Sequence, residues 1–168
     1  MRRLPFRVGG LSAAIGLALV ASGCGMAVPS KSGADSVKIV QSSVGMHLVD
    51  AQGRSLYLFE RDEKGDSYCY GACAAVWPPV EAEHAPAATA GVPASALGTF
   101  KRDDGEMQVT FRGHPLYYYS ADASTPGKTR GEDQEQFGGG WYLVGQNGKS
   151  VEPKSSNTPN SNNTGGGY

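Results

Sequence analysis

Between about Val37 and Glu152 the chain alternates short apolar or aromatic runs with Gly-containing turns. Lys38 to Gln41, Met46 to Asp50, Ser55 to Glu60, Leu97 to Arg102, Glu106 to Arg112, Pro115 to Ser120, Trp141 to Val144 and Ser150 to Glu152 carry β-branched or aromatic residues, and each predicts a strand. Asp50-Ala51-Gln52-Gly53-Arg54, Asp103-Asp104-Gly105 and Arg112-Gly113-His114 supply the hairpin turns. The fold class expected is all-β, mainly antiparallel, with short strands. Helix is confined to a turn or two near residues 71–76, ended at Trp77-Pro78-Pro79 because proline disfavours helical geometry in the residue before it.

The pattern then repeats. Residues 45–62 align without a gap on residues 105–122, with Gly45/Gly105, Val49/Val109, Gly53/Gly113, Leu56/Leu116, Tyr57/Tyr117 and Asp62/Asp122 identical and Phe59 facing Tyr119. A duplicated unit is the simplest account. It predicts one pseudo-symmetric β domain over residues 37–152, with repeat 1 at about 44–80 and repeat 2 at about 104–146. In Leu56-Tyr57-Leu58-Phe59 the pleat sends the two rings to one face and the two leucines to the other, so the strand should be central. Leu116-Tyr117-Tyr118-Tyr119 repeats this with a more polar outer face.

The ends have a different character. Arg2, Arg3 and Arg7 precede an uncharged small-and-apolar stretch from Val8 to Val20 that closes on Ala21-Ser22-Gly23-Cys24. This is a secretory signal over residues 1–23, and its apolar run is shorter than the roughly 20 residues that span a bilayer as a helix. A Cys directly after small residues resembles a bacterial lipobox, which makes Cys24 the expected lipidation site, although Ala21 stands where Leu is commonest. An ordinary signal cut near Ala21 is the alternative. Lipid at Cys24 would also resolve the odd cysteine count, since three Cys in an exported chain would otherwise leave one thiol unmatched. Residues 24–36 then read as a flexible tether and residues 153–168 as a disordered tail, both with little to bury. The expected location is the extracytoplasmic face of a bacterial cell membrane. Removing residues 1–23 takes away three arginines and no acid, so the formal charge moves from −1 to −4. That, with no basic stripe interleaved with aromatics, argues against nucleic acid as a partner. Cell-wall polymer or an envelope protein remains open.

Several residues could carry chemistry. Asp62 and Asp122 follow their strands directly, where a carboxylate caps turn N–H groups. The alternative is that the duplicated Tyr and Asp form a binding surface or hold a cation. Cys69 and Cys73 should close in an oxidising compartment, and a ring this small would stabilise the fold by about 2 kcal/mol. Alternatively they form a redox dithiol, or a thiolate pair for copper completed by one of His47, His84 or His114. Trp77 and Trp141 follow the two copies at similar distances and either fill the core or form an aromatic platform for glycan. There is no Gly-x-Ser-x-Gly, His-Glu-x-x-His, P-loop or dinucleotide fingerprint. No nucleophile–base or paired-acid signature nominates a catalytic residue, so the enzyme reading is the least favoured.

Leu56-Tyr57-Leu58-Phe59-Glu60-Arg61-Asp62, the run from Cys69 through Trp77-Pro78-Pro79-Val80, and His114-Pro115-Leu116-Tyr117-Tyr118-Tyr119-Ser120-Ala121-Asp122 with the later Gly139-Gly140-Trp141-Tyr142-Leu143-Val144 resemble a known family. They are similar to the bacterial secreted-repeat lipoproteins with a Tyr-x-(Phe/Trp/Tyr)-x-x-Asp motif, and the resemblance covers about residues 44–146. It implies an exported, often lipid-anchored protein, mostly without an assigned activity. Its motif positions are Tyr57, Phe59 and Asp62, then Tyr117, Tyr119 and Asp122, with Cys69 and Cys73 as the pair. The second copy lacks the cysteines. The function expected is a structural or binding module of the cell envelope; the competitors are a copper-binding or thiol-redox protein and a protein that binds or processes cell-wall glycan.

Overall fold

The structure, a computed structural model, describes residues 34–151. The signal segment, Cys24, nearly all of the expected tether and the tail lie outside the described residues. The strands are β1 (Ser36–Gln41), β2 (Met46–Asp50), β3 (Tyr57–Phe59), β4 (Ala87–Ala88), β5 (Leu97–Lys101), β6 (Met107–Phe111), β7 (His114–Pro115), β8 (Gln134–Gln136) and β9 (Gly139–Leu143). One helix, α1 (Ala72–Val76), stands between β3 and β4 where the proline corner predicts it. Three small sheets have the orders β2-β1-β4, β3-β9-β8 and β5-β6-β7. All pairings are antiparallel except the two-residue contact of β4 with β1. The fold is therefore all-β and mainly antiparallel, built from two related halves.

Local chemistry explains the turns. Arg112 and Gly113 both have positive φ, 52° and 88°, and link β6 to β7 in a two-residue turn whose twist matches the strands. In the first half, Asp50 Oδ1 accepts the N–H groups of Gln52 (3.0 Å) and Arg54 (2.8 Å). This turn is one residue longer, because Val49 faces Ser55 whereas Thr110 faces Pro115. Upstream of the turn the halves therefore slip by one position. Val49 corresponds to Thr110, and the identity of Val49 with Val109 does not mark equivalent sites.

The expected strand from Pro115 to Ser120 stops at Pro115. Proline has no N–H to continue a ladder, and the next residues change partners one by one. Leu116 N–H bonds to Val109, Tyr117 exchanges bonds with Tyr57, and Tyr118 N–H bonds to Pro78, before a 3-10 turn at Ser120–Asp122. Strand β8 was not expected either, since Gln134-Glu135-Gln136 has no apolar alternation; its ladder with β9 holds it.

Strand β3 divides the core as its pleat dictates. Leu56 and Leu58 pack into an aliphatic cluster with Val37, Leu48, Val80, Val109 and Leu116, whereas Tyr57 and Phe59 enter an aromatic cluster with Trp77, Tyr117, Trp141 and both cysteines. The halves are interlaced. β9 of the second half pairs with β3 of the first, and Pro79 of the first half bridges Tyr117 of the second. Leu56 bonds to Leu48 and Val144, as Leu116 does to Val109 and Val80.

Candidate functional site

The duplicated motif converges on the pseudo-twofold axis. Tyr57 and Tyr117 exchange both backbone hydrogen bonds at 2.9 Å, and each phenol then reaches the carboxylate of the opposite half. Tyr57 Oη donates to Asp122 Oδ2 at 2.7 Å, and Tyr117 Oη donates to Asp62 Oδ2 at 2.6 Å. The other carboxylate oxygens accept backbone N–H groups, Asp62 from Tyr68 at 2.8 Å and Asp122 from Arg130 at 3.0 Å. Each Asp thus caps a turn in its own half and anchors a Tyr of the other. All four side chains are buried, so the bonds form away from competing water. Burial and the neighbouring carboxylates push both tyrosines above the ordinary phenol range. Burial also raises the Asp62 carboxyl to about 6, against the lowering effect of its hydrogen bonds and of Arg102.

The tryptophans obey the same symmetry. Trp77 and Trp141 stack face to face at 4.0 Å, with Tyr119 on the outer face of Trp77 and Phe59 on that of Trp141, both at 4.1 Å. Tyr57 meets Trp77 edge-on, and Tyr117 meets Trp141 likewise. Neither indole has any exposed surface. Both N–H groups end on Gln136, one on its side chain and one on its carbonyl. Gly131 completes the packing: a Cβ there would lie 2.8 Å from both Trp77 and Tyr57.

Cys69 and Cys73 form a disulfide between the loop and α1. In that state neither sulfur is a thiolate. The histidines are dispersed: His47 is buried in β2 between Gly45 and Ser55, His84 is exposed in a loop, and His114 in β7 faces Lys64. Burial lowers the pKa of both His47 and His114. Among the described residues no group of three or more His, Cys, Asp or Glu side chains is placed to hold a metal ion.

Two buried polar networks escape the sequence pattern. Arg102 donates to the Cys69 carbonyl (2.8 Å), Ser67 Oγ (3.0 Å) and Gln108 Oε1 (2.6 Å), while Ser67 in turn bonds to Tyr117 Oη. This second-half arginine therefore fixes the disulfide loop of the first. In the chain it closes the expected strand from Leu97 to Arg102, just before Asp103-Asp104-Gly105, and only that position hints at burial. The other network joins Asp50, Arg54 and Tyr118. Arg54 Nε lies 2.6 Å from Asp50 Oδ2, Arg54 Nη2 donates to Tyr118 Oη at 2.9 Å, and Tyr118 donates to Asp50 at 3.0 Å.

A family model described as a secreted repeat of unknown function matches residues 38–81 and, a second time, residues 98–145. The chain belongs to this secreted-repeat family. The two matches fall on the two interlaced halves. As a secreted repeat the chain is an exported protein whose molecular activity is unassigned. No curated protein and no solved structure matches it. Among the described residues of this secreted-repeat protein, no helix is long and apolar enough to cross a membrane.

Proposed function

We propose that this secreted-repeat protein is anchored by lipid on Cys24 and holds one rigid β domain outside a bacterial membrane as a structural or binding module. The observation that carries the module reading is the reciprocal pair of bonds from Tyr57 to Asp122 and from Tyr117 to Asp62. The side chains that define the repeat are spent on each other, which suits a scaffold. A motif serving catalysis would direct such groups into a cleft toward substrate. The anchor reading is supported by the signal segment, the small residues before Cys24 and the pairing of the other two cysteines with each other. Lipid attachment at one residue suffices for stable anchoring when two or more chains are added.

Expression with and without globomycin, beside a Cys24→Ala variant, tests the anchor. The wild-type chain is expected in the membrane fraction, with uncut precursor accumulating under the drug and the variant leaving that fraction. An unchanged mature form in the membrane fraction of Cys24→Ala cells would overturn it.

A further inference from the structure

We propose that a cleft beside Tyr119 receives one edge of a neutral sugar ring; this rests on the binding-module reading and names the ligand class. The cleft has a volume of about 100 Å³, and its lining includes Arg54, Ser55, Tyr118, Tyr119, Ser120 and Asp122.

Departures from the internal symmetry single out these residues. Gly53/Gly113, Leu56/Leu116, Tyr57/Tyr117 and Asp62/Asp122 recur in both halves, and the tyrosines and aspartates join the halves. The cleft uses positions that do not recur. Ser55, Tyr118, Tyr119 and Ser120 stand where the first or second counterpart has Pro115, Leu58, Phe59 and Glu60, and Arg54 stands where the other half has His114. Four hydroxyls and a guanidinium are thus gathered on one side of the axis alone, those of Ser55 and Tyr118 already donating to the Lys128 carbonyl and to Asp50. At the corresponding turn of the first half the Lys64 stem lies over Gly113.

The donors and charges define what would fit. The hydroxyls of Tyr119, Ser120 and Ser124 make no hydrogen bond among the described residues, so they can serve a ligand without breaking a protein contact. Arg54 is matched by Asp50, and Asp122 is occupied by Tyr57 and the Arg130 N–H. With its charges already balanced, the cleft offers hydroxyls and an aromatic ring rather than a selective ion pair. Sugars present that combination of hydroxyl edges and apolar ring faces. The space equals roughly three waters at about 30 Å³ each, enough for one edge of a ring and too little for an enclosed chain. Two further lining residues have an unusual backbone: Ala123 and Ser124 are consecutive non-glycine residues with left-handed φ of 50° and 54°, a conformation that persists where the surroundings enforce it and that clusters at ligand sites. Trp77 stacked against Tyr119 holds the phenol in place.

Amide-shift and saturation-transfer NMR on the full chain would test this with glucose, galactose, mannose and N-acetylglucosamine, beside a tetrasaccharide fragment of cell-wall glycan. Millimolar binding that moves the Tyr119, Ser120 and Ser124 amides is expected. Tyr119→Phe restores the first-half residue and should weaken binding about fivefold, the equivalent of one hydrogen bond, at unchanged melting temperature. Ser124→Lys should block the cleft. Tighter binding of the tetrasaccharide than of any single sugar would identify a polymer end as the source, and equal binding a free sugar. No transfer from any of these ligands, or binding indifferent to both substitutions, would overturn the site. Sugar binding indifferent to both substitutions would leave the binding-module reading standing on another surface, so failure of the site is distinguishable from failure of that reading.

Discussion

At the scale of single residues, Asp62 and Asp122 occupy matching positions, and each accepts the phenol of the opposite half. Asp62 is raised to about 6 because burial outweighs its hydrogen bonds, and this has a consequence for stability. Its folded value lies above the unfolded carboxylate value of about 3.9, so the folded state holds the proton more tightly. The associated stabilisation is fully present below the unfolded value and is lost as pH rises through about 6. Other carboxylates behave in their own ways, so the informative quantity is a difference. Stability of the wild type minus that of Asp62→Asn, from urea unfolding, should grow as pH falls from about 7 to about 4. A difference that stays flat over this window would show that Asp62 ionises in the fold as it does in the unfolded chain. The residues of this pair are legible in the sequence, but their partners are not. Tyr57 and Asp122 are 65 residues apart, Tyr117 and Asp62 are 55 apart, and no local pattern encodes which copy supplies the acceptor. Turn capping is the part that local chemistry could anticipate, and Asp62 does cap Tyr68.

At the scale of elements, the hairpins and the proline-terminated helix could be read because their causes are local: Gly53, Gly113, Asp50 and the Trp77-Pro78-Pro79 corner act within a few residues. The segment after Pro115 could not, because its hydrogen bonds go to Val109, Tyr57 and Pro78 in turn. Strand β8 likewise exists only against β9. The loop from Ser67 to Tyr70 also depends on distant support. The disulfide closes it onto α1, and Arg102 binds its Cys69 carbonyl while lying 4.3 Å over the Tyr70 ring. Replacing both Cys69 and Cys73 by Ala should therefore cost about 2 kcal/mol, the chain-entropy value for so short a ring. The native fold should persist, since Arg102 and Ser67 still hold the loop. Thiol titration of the unreduced wild-type domain should find both cysteines unreactive. Two titratable thiols at Cys69 and Cys73, or a double variant as stable as the wild type, would remove the loop-fastening role.

At the scale of the whole molecule, interlacing makes the duplication obligatory for folding. Each half lends its Trp-bearing segment to the other, each Tyr bonds to the opposite Asp, and the four-ring stack of Phe59, Trp141, Trp77 and Tyr119 alternates between halves. One half alone would uncover both faces of its indole, each stacked on a ring of the other half, and leave a carboxylate without its phenol, and burial is the main favourable term in folding. The halves are also not interchangeable. Gly131 of the second half leaves room for Trp77 and Tyr57 of the first, where any Cβ would come within 2.8 Å. Scission between Pro93 and Ala94, both exposed in the connection before β5, should yield two fragments that lack a near-ultraviolet aromatic circular-dichroism signal separately. Mixed at equal concentration they should recover it, because the ring stack forms only when both halves contribute. A native-like aromatic spectrum from either fragment as a monomer would mean that the repeat closes its own core, and the reciprocal Tyr–Asp bonds would then be an embellishment of the fold rather than its basis.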